Sequence, residues 1–189
     1  YRHPSADMLM TPEDVAWEVI DEARIFHYGT ITMIHEPSRS ATLAAVRHAR
    51  ERGLTISYDP NLRMSLWESP GAARAGMWNG LEFAHIVKVS DEELEFMTGG
   101  SDPAALWGHD LRLIIVTHGE AGASLYTRKT AVHAPGFSVT AVDTTGAGDG
   151  FVAGSLTQMI DHGDAFEQHL EEAARFANAV GALATTRKG

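Results

Sequence analysis

The chain has 189 residues, of which 44% are hydrophobic, so it can bury a substantial core, and one domain accounts for its length. Its net charge of −10 argues against nucleic acid or an anionic membrane surface as a partner. The absence of cysteine excludes disulfides and zinc–thiolate sites and fits a cytoplasmic enzyme. The ten histidines show no familiar metal-ligand spacing, so we interpret them as surface or core residues.

The first part of the chain alternates predicted helices and strands. Thr11 and Pro12 form a helix-start pattern, and a helix is expected from there to about Ala23. Further helices are expected at 38–52, 69–81 and 91–97, and strands at 25–28, 54–58, 85–89 and 113–117. This alternation predicts right-handed crossovers and a largely parallel sheet.

The pattern changes after Gly119. The sequence predicts a hairpin of strands at 123–126 and 131–134, a strand end at 139–142, and helices at 149–160 and 165–183. Ligands of open α/β sheets bind at the carboxyl ends of the strands. The candidate site residues follow predicted strands: Asn61, Arg63, Ser90, Glu93, Thr117, Gly119, Asp143 and Asp149.

The most informative segment is the glycine turn from Asp143 to Asp149. Gly146 and Gly148 let the backbone approach a ligand closely, and the amides at the following helix start favour an anion such as phosphate. The lysine of a Walker A loop and the third glycine of a dinucleotide fingerprint are both absent. A carboxylate at Asp149 suits a base that deprotonates an attacking hydroxyl. The segment therefore predicts phosphoryl transfer, with a simple aspartate-capped turn as the alternative.

The same turn, Asp-Thr-x-Gly-Ala-Gly-Asp, resembles the C-terminal signature of the ribokinase-like (PfkB) carbohydrate kinases. Further matches, closest to fructokinases, follow in the same order at residues 1–8, 26–29, 57–63, 88–96 and 183–189. The resemblance implies a three-layer α/β/α sandwich with a mostly parallel sheet. It also implies that residues 1–189 form a single incomplete kinase domain, the C-terminal portion of a longer chain whose N-terminal part is missing.

The implied activity is ATP-dependent phosphorylation of a sugar, with D-fructose as the expected substrate and fructose 6-phosphate as the product. ATP and Mg²⁺ are the implied cofactors, and the resemblance leaves K⁺ dependence and a homodimer open. A kinase for 2-keto-3-deoxygluconate or a nucleoside is one alternative, and a non-catalytic, fructokinase-like regulatory protein is another. The intact Asp149, Gly146 and Gly148 count against the second alternative. We expect the 189-residue chain to be inactive alone, because much of the implied sugar site is absent.

The resemblance also implies roles for individual residues. Asp149 matches the catalytic base, and the amides of Gly146, Ala147 and Gly148 are expected to stabilise the transferring phosphoryl group. Implied substrate-binding residues are Arg2, Asn61, Arg63 and Asp149, and implied nucleotide-binding residues are Ser90, Glu93, Thr117, Gly119 and Asn178. A monovalent cation is implied at Asp143, Thr145, Ala184, Arg187 and Gly189, and an indirect contact with magnesium at Glu93.

Three of these assignments leave alternatives open. Ser90 stands where the family usually has asparagine, which leaves its own role undecided. Asn178 can equally be a polar residue on the solvent-facing side of its helix. A solvated surface charge is the alternative for Arg63.

Overall fold

A computed structural model describes residues 5–108 and 110–188, which divide into two compact units, one ending at Arg112 and the other beginning at Leu113. The first unit contains α1 (Trp17–Asp21), β1 (Ile25–Gly29), α2 (Ser38–Glu51), β2 (Thr55–Asp59), α3 (Pro70–Leu81), β3 (Ile86–Ser90) and α4 (Asp91–Thr98). The second contains β4 (Leu113–Thr117), β5 (Ala123–Tyr126), β6 (Ala131–Ala134), α5 (Ala147–His162) and α6 (Leu170–Thr185). None of the described helices is long and apolar enough to cross a membrane.

Short 3₁₀ turns connect several of these elements. They lie at Ala6–Met8, Pro12–Asp14, Ile31–Met33, Met64–Leu66, Pro103–Leu106, Gly119–Ala121 and Gly163–Gln168.

The strands of the first unit pair in parallel, as the alternation of helices and strands predicts. Phe26 lies opposite Ile56 in the β1–β2 pair, and Tyr58 lies opposite Val87 in the β2–β3 pair. Ile56, Tyr58 and Val87 are completely buried, which is typical of strands covered on both faces. Because β2 and β3 run in the same direction, the segments that follow them leave from the same edge of this sheet.

Local signals set the helices of the first unit. Helix α3 begins at Pro70, and the Ser69 hydroxyl caps it by accepting a hydrogen bond from the Ala72 amide at 3.1 Å. Helix α2 packs on β1 and β2 and buries Val46 and Ala49 completely. The predicted bounds of both helices are confirmed to within one residue.

The three strands of the second unit pair in antiparallel fashion, and the predicted hairpin is confirmed. Ile115 of β4 lies opposite Leu125 of β5, and Ser124 of β5 lies opposite His133 of β6. Helices α5 and α6 pack closely against each other, with α6 also contacting β5 and β6. The second unit is therefore a small antiparallel sheet next to a helical hairpin.

The first predicted helix is divided in the structure. Instead of one helix from Thr11 to Ala23, the 3₁₀ turn Pro12–Asp14 precedes α1. The Asp14 carboxylate accepts the Thr11 amide at 2.8 Å and closes this short turn. Val15 then has an extended backbone, with ψ of 125°, which interrupts the helical hydrogen bonds.

The last two predictions of secondary structure also need correction. Residues 139–142 are not a strand, because the amide of Val142 donates to the carbonyl of Thr185 rather than to a neighbouring strand. The helix predicted at 165–183 is a 3₁₀ segment followed by α6, with His169 between them.

Candidate active site

The glycine turn lies at the start of α5 and opens its first turn. Gly146 has a φ of 81°, a left-handed conformation that glycine adopts readily, and occupies the N-cap position. The Gly150 amide donates to the Gly146 carbonyl at 2.8 Å, which is the first bond of the helical ladder. The amides of Gly148 and Asp149 precede that bond, at the end of the helix that attracts anions.

One amide of the predicted anion hole is used within the turn itself. The Ala147 amide donates to the carbonyl of Thr144 at 3.2 Å. The Asp143 carboxylate accepts the Thr145 amide at 2.9 Å and closes the preceding bend. The turn is thus held by its own hydrogen bonds, and of the three predicted donors only the Ala147 amide takes part in those bonds, whereas the amides of Gly146 and Gly148 do not.

Asp149 occupies the first turn of the 16-residue helix α5 and is exposed. A negative side chain is favourable at this end of a helix. The helix fixes the Cα position, while exposure leaves the carboxylate accessible to a ligand. Both properties suit a base that must meet a substrate hydroxyl.

A pocket of about 390 Å³ lies in the second unit beside this turn. Three predicted residues meet in its wall: Gly119 from the segment after β4, Ala147 from the glycine turn and Asn178 from α6. Its other lining residues are Glu120, Gly136, Phe137, Ser138, Val139, Ala141, Thr144, Gly181, Ala182 and Thr185. Thr117, the remaining predicted nucleotide-binding residue of this unit, ends β4 two positions before Gly119.

Asn178 is buried, with 7% of its surface exposed, so the solvent-facing alternative is wrong. Its Nδ2 donates to the carbonyls of Ala134 at 2.9 Å and Pro135 at 3.2 Å. Both partners are acceptors, which fixes the orientation of the side-chain amide. Asn178 therefore joins α6 to the end of β6 and at the same time lines the pocket.

The end of α6 lies against the glycine turn, where the family resemblance implies a monovalent cation. The Thr185 carbonyl accepts the amides of Val142 at 2.8 Å and Asp143 at 3.1 Å. Ala184 lies close to Gly150 of α5, because a Cβ added at Gly150 would be 3.2 Å from the Cβ of Ala184. Of the other residues of the predicted cation site, Thr145 and Arg187 are exposed, and Gly189 lies outside the described residues.

In the first unit, Ser90 and Glu93 form a reciprocal cap at the start of α4. The Ser90 hydroxyl accepts the Glu93 amide at 3.2 Å, and Glu93 Oε2 accepts the Ser90 amide at 2.9 Å. Glu93 Oε1 accepts the Leu62 amide at 2.7 Å, and only 9% of the residue is exposed. Glu93 therefore joins the start of α4 to the segment after β2.

That segment carries the two described substrate-binding candidates. Asn61 has a left-handed backbone, with φ of 47°, and its amide donates to Asp59 Oδ1 at 3.0 Å. Arg63 is exposed, and its Nη1 donates to the Leu62 carbonyl at 3.1 Å. The remaining candidate, Arg2, lies outside the described residues.

Sequence reasoning missed a buried ion pair beside these candidates. Lys88 Nζ lies 3.1 Å from Asp59 Oδ2, and the two residues are 8% and 4% exposed. Burial raises the pKa of Asp59 to about 6, although the charge of Lys88 acts in the opposite direction. The available signal is a lysine inside the apolar run from His85 to Val89, because a buried lysine requires a partner.

The chain is similar in sequence and fold to known proteins. The profile of the pfkB family carbohydrate kinases matches residues 1–189. Fructokinase-2 of Oryza sativa is 47% identical to the chain over 100% of the chain and 58% of its own length. Thus the chain spans less than two thirds of this relative.

Two solved structures are similar. Fructokinase from Vibrio cholerae O395, bound to fructose, ADP and calcium, is 35% identical, with a TM-score of 0.87 over 98% of the chain and 61% of that protein. Fructokinase from Xylella fastidiosa with bound ATP is 32% identical, with a TM-score of 0.90 over 100% of the chain and 63% of that protein. The predicted ribokinase-like α/β fold is confirmed, and the chain belongs to the pfkB family of carbohydrate kinases.

Proposed function

We propose that the protein is an ATP-dependent fructokinase, which transfers the γ-phosphoryl group of ATP to D-fructose and releases ADP and fructose 6-phosphate. The observation that carries this proposal is the glycine turn at the start of α5, which bears the exposed Asp149 and whose Thr144 and Ala147 line a pocket of about 390 Å³. A pocket of this volume is within the usual range for small-molecule sites, about 300–1,000 Å³. Fructose and ADP bound to the Vibrio cholerae relative support the choice of substrates.

In the proposed reaction, Asp149 accepts the proton of a sugar hydroxyl as the hydroxyl oxygen attacks the γ-phosphorus in line. A new oxygen–phosphorus bond forms, and the bond to the bridging oxygen breaks to release ADP. The start of α5, including the Gly148 amide, stabilises the negative charge on the transferring group. Asn61, Arg63 and Arg2 bind the sugar in this proposal. Gly119, Asn178 and Thr117 bind the nucleotide.

Magnesium would supply positive charge that neutralises part of the charge on the ATP phosphates. Glu93 fits an indirect role toward this ion, because both of its carboxylate oxygens accept backbone amides. In the same proposal, Ser90 contributes to the nucleotide site by holding the start of α4. Oxygen atoms around Asp143 and the end of α6 would hold K⁺. A cytoplasmic location agrees with the cysteine-free composition, and a homodimer stays a prediction.

The test is phosphate transfer by the full-length protein from MgATP to fructose, 2-keto-3-deoxygluconate and a nucleoside, in K⁺ and in choline buffers. Asp149→Asn should lower kcat for fructose by at least about 100-fold, the usual contribution of a general base, and leave ATP binding intact. Asp161→Asn, at an exposed position of the same helix, is the matched control and should leave kcat unchanged.

Other results of the transfer assay would change the substrate, the base or the class of protein. Turnover of a different sugar alone would retain the mechanism and replace the substrate. Full activity in Asp149→Asn would contradict the assignment of the base. ATP binding without transfer to any acceptor would favour the regulatory alternative.

A further inference from the structure

Three potential metal ligands meet at the turn between α5 and α6. His162 is the last residue of α5, His169 immediately precedes α6, and Glu172 lies in the first turn of α6. Glu172 Oε2 lies 3.1 Å from His169 Nδ1 and 4.0 Å from His162 Nε2. The three ligand atoms all lie within 4.8 Å of one another.

The two imidazole rings are stacked face to face, with centroids 4.0 Å apart and planes inclined by 9°. The turn that carries them is anchored in the core, because Phe166 and Leu170 are only 7% and 2% exposed. The His169 amide also donates to the Phe166 carbonyl at 2.9 Å. The buried side chains and the hydrogen bond of this turn therefore keep the two histidines close together.

From this geometry we infer a binding site for one divalent transition-metal ion of the zinc type, formed by His162, His169 and Glu172. Two imidazole nitrogens and one carboxylate oxygen are a common ligand set for Zn²⁺, with water in the remaining position. Mg²⁺ is a poor match, because it prefers oxygen ligands and retains its water.

The ligand spacing is close to that required. With Zn–ligand bonds of about 2.0–2.1 Å, neighbouring ligands of a tetrahedral ion are about 3.4 Å apart. The His169–Glu172 pair, at 3.1 Å, already has nearly this spacing, whereas His162 must move closer. The stacked rings must tilt apart for both lone pairs to point at one ion, which is a side-chain movement at a partly exposed surface.

The inferred site is separate from the proposed phosphoryl-transfer site. It lies at the opposite end of α5 from Asp149, and the rise of 1.5 Å per residue from position 149 to 162 gives about 20 Å. A bound ion would link the end of α5 to the start of α6. Because it binds the folded helical hairpin, it would stabilise the second unit by mass action.

The experiment is a Zn²⁺ titration of the tag-free full-length protein in excess Mg²⁺, with Co²⁺ as a spectroscopic probe. We expect one Zn²⁺ per chain, and His162→Gln and His169→Gln should each weaken binding at least about tenfold, as disruption of metal sites usually does. The exposed His35 provides the control, since His35→Gln should bind normally.

The Co²⁺ spectrum of the unsubstituted chain tests the inference without relying on any variant. Intense visible bands from four- or five-coordinate Co²⁺, displaced by Zn²⁺, would support it. An unchanged spectrum of hydrated Co²⁺, equal weakening by His35→Gln, or displacement of Zn²⁺ by excess Mg²⁺ would overturn it. Circular dichroism of each variant confirms that its fold is retained.

Discussion

At the scale of single residues, the Asp59–Lys88 pair makes stability depend on pH. The two side chains are almost completely buried, and desolvation of the Asp59 carboxylate outweighs its attraction to Lys88. The pKa of Asp59 is consequently raised from 3.8 to about 6 in the folded protein. The contribution of this group to stability is complete below the unfolded-state pKa and is lost as pH rises through about 6.

Asp59→Asn should remove this pH dependence, because an amide cannot ionise. The free energy of unfolding of the variant, minus that of the unsubstituted chain, should increase between pH of about 4 and about 6. The increase should approach about 3 kcal/mol, at 1.36 kcal/mol per pKa unit. Urea unfolding followed by tryptophan fluorescence measures it, since all four tryptophans lie in the first unit.

Asp161→Asn serves again as the control, because it removes one exposed carboxylate from the other unit. The prediction fails if the difference in free energy of unfolding between Asp59→Asn and the unsubstituted chain stays constant with pH. Asp59 would then have the same pKa in the folded and unfolded states.

At the scale of elements, local start signals predicted where helices such as α3 and α4 begin. Structure that depends on partners far along the chain was not predicted. Ser69 and Pro70 predicted the start of α3, and the acidic segment from Asp91 predicted α4, because caps act within one turn. Residues 139–142 have the composition of a strand, yet Val142 bonds to Thr185, which is far along the chain. A sequence pattern carries no information on a partner so distant.

The packing of α5 on α6 depends on glycine at position 154. A Cβ added there would lie 2.9 Å from the Cα of Ala177, a backbone atom that cannot rotate away. Gly154→Ala should therefore destabilise the second unit by about 1–3 kcal/mol, despite the higher helix propensity of alanine, which is worth about 1 kcal/mol. Thermal unfolding followed by far-UV circular dichroism measures the change.

Gly71→Ala in α3 is the matched control. An added Cβ there would meet only the Ser69 hydroxyl oxygen, at an ordinary 3.9 Å, so stability should be unchanged or higher. A Gly154→Ala variant as stable as Gly71→Ala would mean that the two helices can separate at little cost.

At the scale of the whole molecule, family and fold class could be predicted from the sequence, whereas the details of the site could not. The glycine turn and the helix–strand alternation are visible along the chain, so the parallel strands and the start of α5 were predictable. The burial of Asn178 depends on β6, whose last residue, Ala134, lies 44 positions earlier in the chain and accepts a hydrogen bond from Asn178. The grouping of His162 with His169 likewise needs the turn between two helices.

Composition supplies one further prediction for the whole chain. The sequence pI is 5.4, and the charge of −10 at neutral pH keeps molecules apart by repulsion. Solubility at low ionic strength should therefore pass through a minimum near pH 5.4 and recover on either side. Light scattering from a pH series tests this, and constant scattering throughout the series would contradict it.

The hydrogen bonds of Asn178 also bear on which purine base the proposed nucleotide pocket would accept. Both amide hydrogens are used on the carbonyls of Ala134 and Pro135, so only Oδ1 is available for a ligand. This oxygen can receive a hydrogen bond from the exocyclic amino group of adenine, whereas the corresponding carbonyl of guanine would face it with a second acceptor. Asn178 would thus favour ATP over GTP, because the fold of the second unit uses its two amide hydrogens and leaves only an acceptor for the base.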